Sequence, residues 1–382
     1  MRLSVYSTIM FFAFIGCQTV PDVATPPTQN LLVVSSVATI DKEAGKQWYD
    51  ALSLDIEGQG WTGENLKTPY DRLPAKAEGV VRAPVWNLAS HSAGLHLRFI
   101  TDSRNIHARW SLRFSNLGMH HMPPTGVSGL DLYTRNDNGE WRWVGFGSPK
   151  GQKDNEVTLV GSLPAGTREF LVSLPLFNGT ASLSIGIDKD ALISVAPHAP
   201  EDAVVIYGTS ITQGGCASRT GMAYASILRR SLDREVINLG FSGNGRLEPE
   251  VADLLAELNP AAYVLDAFPN NGPDQIRERF VPFVHTLRAA HPETPIVIVE
   301  NIAYQRAWAF EPKGGHFAKN EAIREGYASL LNEGVKGLYY VPFNDLLGDD
   351  SLGTVDGTHP TDVGMMRIAE AIEPAIRKAL SK

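Results

Sequence analysis

The stretch Ala203-Val-Val-Ile-Tyr-Gly-Thr-Ser-Ile-Thr-Gln-Gly214 opens with an unbroken apolar run that stops at glycine and passes directly into a hydroxyl-bearing turn. A short run without polar alternation suits a strand covered on both faces, as strands of parallel sheets are. The pattern returns at Val236-Ile-Asn-Leu239, Ala261-Ala-Tyr-Val-Leu265, Ile296-Val-Ile-Val299 and Leu338-Tyr-Tyr-Val341. Helical patterns over 222–232, 248–258, 274–290, 319–332 and 362–380 separate or follow these runs. In the second of them Val251, Leu254, Leu255 and Leu258 share the i, i+3, i+4, i+7 spacing of one buried face. Five alternations of strand and helix predict an α/β fold built on a parallel sheet with right-handed crossovers. Ligands of such sheets bind beyond the carboxyl ends of the strands, so the chemistry is expected in the loops that follow each run.

Those loops carry a consistent set of residues. Gly208-Thr-Ser210 follows the first run, Gly240-Phe-Ser-Gly243-Asn-Gly245 the second, Asp266-Ala-Phe-Pro269-Asn270 the third, and Asp356-Gly-Thr-His359 precedes the last helix. A serine hydroxyl is a weak nucleophile until a base within hydrogen-bond reach takes its proton, and that base must itself be oriented. Ser210, His359 and Asp356 fill these roles, the aspartate fixing the imidazole tautomer from three residues away. The backbone N–H groups of Ser210 and Gly243 and the side-chain amide of Asn270 are candidate donors to an acyl oxyanion, with Asn271 the alternative to Asn270. Taken singly, Ser210 could be a helix cap and Asp356 to His359 a capped turn. The glycines around Gly243 lack the Lys-Ser/Thr ending of a phosphate loop, which removes nucleotide binding. His120-His121, with His91 in the same region, has no cysteine or carboxylate spacing behind it, and neighbouring histidines on a strand point apart. They are expected to be solvent or cleft polar groups rather than metal ligands. Cys216 is expected to be a buried thiol.

Upstream, from residue 31 to 197, short period-two runs such as Leu95 to Ile100, His107 to Arg113, Leu130 to Tyr133 and Leu183 to Ile187 are broken by Gly, Asn, Asp and Pro. This predicts an all-β sandwich or jelly roll. Trp48, Trp61, Trp86, Trp110, Trp141 and Trp143 fall in it as core anchors, with an aromatic sugar platform the alternative. Residues 1–17 combine Arg2, an apolar run over 3–16 and Gly16-Cys17, the pattern of an export signal ending in a lipobox, with plain secretion as the alternative. Residues 18–30 are Pro/Thr-rich and are expected to be a flexible tether. Thus the expected organisation is 1–17 signal, 18–30 tether, 31–197 β-domain and 198–382 α/β domain. Only Cys17 and Cys216 occur in the 382 residues, so a lipidated Cys17 leaves no internal disulfide. A net charge of −8, from 34 Lys+Arg against 42 Asp+Glu, with no basic block, excludes binding to a nucleic-acid backbone.

The ordered blocks Gly208-Thr-Ser210, Gly243, Asn270 and Asp356-x-x-His359 resemble the SGNH/GDSL hydrolase superfamily, with Gly-Thr-Ser in place of the commoner Gly-Asp-Ser. Gly129-Leu-Asp131-Leu-Tyr133 is similar to the Gly-x-Asp-Leu-Tyr motif of a β-rich domain that precedes one esterase type. The third block departs from the usual Gly-x-Asn-Asp. The resemblance implies a flavodoxin-like hydrolase domain, ester hydrolysis through an acyl-serine, and no metal or organic cofactor. It further implies a carbohydrate esterase removing acetyl groups from a polysaccharide, with membrane attachment only through an N-terminal lipid. An esterase of small aryl or lipid esters, and a carbohydrate-binding lipoprotein with an inactive hydrolase domain, are the other functions considered.

Overall fold

The computed structural model describes residues 38–41, 45–54, 56–197, 203–309 and 316–381. The expected signal with Cys17 and the tether lie outside them. The first strands form two antiparallel sheets. One runs β1 (Ala38–Asp41), β2 (Lys46–Asp50), β10 (Thr180–Asp188), β5 (Ile106–Leu112) and β8 (Asn155–Val160), in that spatial order. The other runs β11 (Ile193–Val195), β4 (His96–Thr101), β9 (Arg168–Ser173), β6 (Leu130–Arg135) and β7 (Trp141–Gly147), with β3 (Ile56–Glu57) paired to β4. Alternate residues of both sheets, among them Leu97, Phe99, Ile106, Trp110, Leu132, Phe170 and Ile185, meet in one core, as a sandwich requires. Trp48, Trp61, Trp110 and Trp141 are buried as expected, whereas Trp143 is 45% exposed. Two short helices, α1 (Ala83–Ala89) and α2 (Pro124–Val127), interrupt this otherwise β region.

The remaining strands are β12 (Val204–Gly208), β13 (Val236–Gly240), β14 (Ala262–Asp266), β15 (Ile296–Val299) and β16 (Leu338–Val341), all parallel, in the order β13-β12-β14-β15-β16. This is the flavodoxin-like order, with its switch point between β12 and β14. Every second residue turns to each face, which explains the continuous apolar runs. Val205, Tyr207, Leu239 and Leu265 enter a core with α5 (Pro249–Leu255), α6 (Pro273–Ala290) and α7 (His316–Asn332). Val204, Ile206, Val264 and Val297 enter a second core with α4 (Tyr224–Leu232) and α8 (Asp362–Leu380). A four-residue helix, α3 (Ser210–Gln213), follows β12 directly. The expected helix over 248–258 ends at Leu255, because its last residues make only i to i+3 turns ahead of Asn259-Pro260. Among the described residues no helix is long and apolar enough to cross a membrane.

The Gly129-to-Tyr133 motif explains how the β sheets meet the parallel sheet. Leu130 and Leu132 point into the sandwich core, while Asp131, fully buried, points outward. Its Oδ2 accepts from Arg219 Nη1 at 2.7 Å and from the Gly221 N–H at 2.8 Å, and its Oδ1 accepts from Trp143 Nε1 at 3.2 Å. The Tyr133 hydroxyl accepts from the same Arg219 nitrogen at 2.6 Å. A side chain at 129 would meet the carbonyl oxygens of Thr125 at 2.5 Å and Gly147 at 2.7 Å, so only glycine fits there. The motif is a fastener between the two regions, its carboxylate and phenol committed to Arg219 and Gly221.

Candidate active site

In register, Gly208 at the end of β12 lies opposite Gly240 of β13 and Asp266 of β14, so three strands finish level and their loops share one rim. The nucleophile candidate is the first residue of α3. Thr209 caps that helix in a capping box with Thr212, which fixes the turn angle that presents the Ser210 side chain. Thr212 Oγ1 donates to Asp266 Oδ2 at 2.9 Å, and the Tyr224 hydroxyl lies 2.8 Å from the same oxygen. Burial pushes the Asp266 carboxyl up to about 6, against the pull of these two hydroxyls. A Cβ on Gly208 would stand 1.8 Å from Thr212 Oγ1, so the glycine lets the strand end pass beneath the cap.

Ser210 is 8% exposed. Its Oγ lies 3.0 Å from His359 Nε2, and His359 Nδ1 lies 2.7 Å from Asp356 Oδ2. The other carboxylate oxygen of Asp356 accepts from the backbone N–H groups of Thr358 at 2.9 Å and His359 at 2.8 Å. Partial burial opposes ionisation of Asp356, but the His359 ring and these two amides hold its carboxyl down at about 2. The structure therefore brings together the serine, imidazole and carboxylate that the sequence set 149 and three residues apart. With Nδ1 facing a carboxylate, the proton rests on Nδ1 and the Nε2 lone pair faces the serine.

Gly243 sits in the loop after β13 with φ +69°, a left-handed conformation that glycine adopts without strain. That loop is pinned by the Phe241 N–H donating to the Gly208 carbonyl at 3.1 Å and the Ser242 N–H donating to Gln213 Oε1 at 2.9 Å. Asn270 donates to the Asn244 carbonyl at 2.8 Å, joining the loops after β14 and β13. Its neighbour Asn271 is buried, with its amide nitrogen on the Ala267 carbonyl at 2.6 Å and the Gly245 carbonyl at 3.3 Å. Of the two asparagines, Asn270 is partly exposed with one backbone acceptor on its amide nitrogen, whereas Asn271 is buried with two.

His120 and His121 were expected to be solvent or cleft polar groups on a strand, and the approach of His121 to His359 was not foreseen. His120 and His121 are not on a strand but form the turn between the bridged residues Met119 and Met122, so their rings pack 4.4 Å apart instead of pointing away from each other. The His121 ring meets the His359 ring edge-on at 6.0 Å. Cys216 is buried as expected, and burial, with the nearby Asp356 charge, pushes its thiol up to about 11. Also unforeseen is Trp308, 80% exposed. It follows Gln305 and Arg306, whose segment is tied to the catalytic loop by Gln305 N–H to the Gly357 carbonyl at 3.2 Å and Thr354 Oγ1 to Gln305 Oε1 at 3.0 Å.

Comparison with known proteins agrees with this geometry. Residues 201–377 match the GDSL-like lipase/acylhydrolase family, and residues 46–193 match the GxDLY family, the N-terminus of SGNH-hydrolase-type esterases. No curated protein matches the chain. A solved structure from Bacteroides ovatus, described as a GDSL-like lipase, is 37% identical, with 88% of this chain and 98% of that one covered and a TM-score of 0.82. A salicylyl-acyltransferase from a tetracycline biosynthetic pathway is 18% identical, with 90% and 97% covered and a TM-score of 0.71. A family two carbohydrate esterase from Clostridium thermocellum, in complex with cellohexaose, is 14% identical, with 75% and 93% covered and a TM-score of 0.56. The last two share the fold. Taking the two family matches with the Bacteroides protein, the chain belongs to the GDSL-like lipase/acylhydrolase family and is an ester hydrolase of the SGNH type.

Proposed function

We propose that the chain removes O-acetyl groups from a polysaccharide or oligosaccharide, with Ser210 as nucleophile, His359 as general base and acid, and Asp356 as the group that orients it. The observation that carries the catalytic assignment is the unbroken hydrogen-bond chain from Ser210 Oγ through His359 to Asp356. His359 Nε2 takes the hydroxyl proton as Oγ bonds to the acetyl carbon. The carbonyl oxygen becomes an oxyanion facing the N–H groups of Ser210 and Gly243 and the amide of Asn270. Its collapse breaks the bond to the sugar oxygen, which leaves with the proton from His359. Water then attacks the acetyl-serine by the same route, releasing acetate and restoring the serine. None of these steps draws on a metal or organic cofactor.

The carbohydrate reading is supported by the fold-level likeness to carbohydrate esterases of family two, one of them holding cellohexaose. It is also supported by Trp308, exposed three residues after the Gln305 that bonds to the Asp356 loop, where an aromatic face can stack on a sugar ring. An exported lipoprotein, anchored through Cys17, would meet such a substrate at the cell envelope; the apolar run and Gly16-Cys17 support that placement. The test is acetate release from acetylated xylan, xyloglucan, pectin and algal glycans by wild type and Ser210→Ala. Release by wild type alone is expected, and no release from any glycan removes the carbohydrate reading.

A further inference from the structure

We propose that His121, Cys216 and His359 form an inhibitory site for a soft or borderline divalent cation such as Zn²⁺. One donor atom from each lies within 4.8 Å of the other two. Two imidazoles and a thiol are the donor set that such ions select over hard, oxygen-preferring cations. A second observation points the same way: His121 Nδ1 is buried and has no hydrogen-bond partner, leaving its donor capacity unused. The three residues come from separate places, the turn at 119–122, the segment after α3 and the loop before α8, so no sequence spacing announces them.

At zinc bond lengths of about 2.0 to 2.3 Å, tetrahedral ligand atoms lie roughly 3.3 to 3.8 Å apart, so the set closes by about an ångström through side-chain rotation. Because His359 Nδ1 faces Asp356 at 2.7 Å, the nitrogen free to bind the ion is Nε2. A carboxylate behind a ligating imidazole is a common arrangement at zinc, where it raises ligand basicity. Nε2 is also the atom 3.0 Å from Ser210 Oγ. Capture of the ion occupies the lone pair that would otherwise accept the serine proton. The Cys216 S–H bond breaks, a metal–sulfur bond forms, and the proton passes to solvent with no change of oxidation state. Cys216 and His121 have no part in the hydrolytic steps, so the site adds a control on an intact catalytic set.

The inhibition rests on the proposed role of His359 as base, whereas the binding does not, and two readouts keep them apart. Chelator-treated full-length protein is titrated with Cd²⁺ while thiolate-to-metal charge-transfer absorption is followed, and p-nitrophenyl acetate hydrolysis is measured in parallel with added Zn²⁺. Wild type is expected to give the band at one ion per chain and to lose about tenfold or more of its rate, recovered with chelator. Cys216→Ser is expected to lack the band and His121→Gln to weaken it, both hydrolysing in Zn²⁺ at their metal-free rates. Absence of the band in wild type, or a band unchanged in Cys216→Ser, overturns the site. A band with undiminished hydrolysis, or a rise in rate with Zn²⁺, overturns His359 as a ligand. A metal-free enzyme without esterase activity defeats the hydrolytic reading alone, since the band still reports the site.

Discussion

At the scale of single residues, the catalytic assignment stands on groups whose removal has different consequences. Ser210→Ala is expected to lower kcat for p-nitrophenyl acetate by about 10⁴-fold or more, because no other hydroxyl replaces the nucleophile. Asp356→Asn keeps the shape but loses the charge behind the ring, and a drop of about 10² to 10⁴-fold is expected in the same assay. Asp356 is held at about 2, so it is ionised throughout the range in which an imidazole base titrates. Asp266 behaves in the opposite sense. Its folded carboxyl is raised from 3.8 to about 6, so its stabilising contribution is present below the unfolded value and is lost as pH climbs through 6. Melting of wild type against Asp266→Asn should show the variant gaining on wild type by on the order of 2 kcal/mol between pH 4 and 7.5. A difference independent of pH would show that Asp266 titrates normally. Three of the four blocks were legible in the sequence because each lies where a buried run stops, and the fourth, Asp356 to His359, because it stands just ahead of the last helical pattern. His121 was not legible, since its approach to His359 depends on a turn whose landing point only tertiary packing sets.

At the scale of elements, the fastener made by β6 offers the sharpest expectation. Asp131→Ala removes the carboxylate paired with Arg219, which keeps only the Tyr133 hydroxyl, and strips the Gly221 N–H of its acceptor, and a loss of about 3 to 5 kcal/mol is expected from denaturant midpoints. Gly129→Ala drives a methyl into two backbone oxygens, and about 1 to 3 kcal/mol is expected by the same measurement. Both changes lie on the β side, so a reduced midpoint with esterase activity preserved in the surviving folded fraction is the expected pair of results. The parallel strands and most helices were readable from apolar runs and 3.6-residue periodicity. Less readable were α1 and α2, whose short lengths carry no full turn-to-turn repeat, and α5, whose apolar spacing continues past the point where its backbone stops being helical.

At the scale of the whole molecule, all the described residues belong to one compact unit, and the fastener is buried within it. If the acyl group is acetyl, hydrolysis of p-nitrophenyl esters should fall by about tenfold or more between acetate and octanoate; a preference for the longer chain would move the reading to lipid esters. Both carboxylate oxygens of Asp131 are occupied, and Arg219 and Gly221, two of their three donors, stand in the chain between Ser210 and α4. Cutting the gene between the two family segments would leave Asp131 without its cation on one product and Arg219 without its carboxylate on the other, and would bare to water the surfaces they join. Each half thus relies on the other to complete the same buried polar contact, so that expressing either one by itself forfeits it.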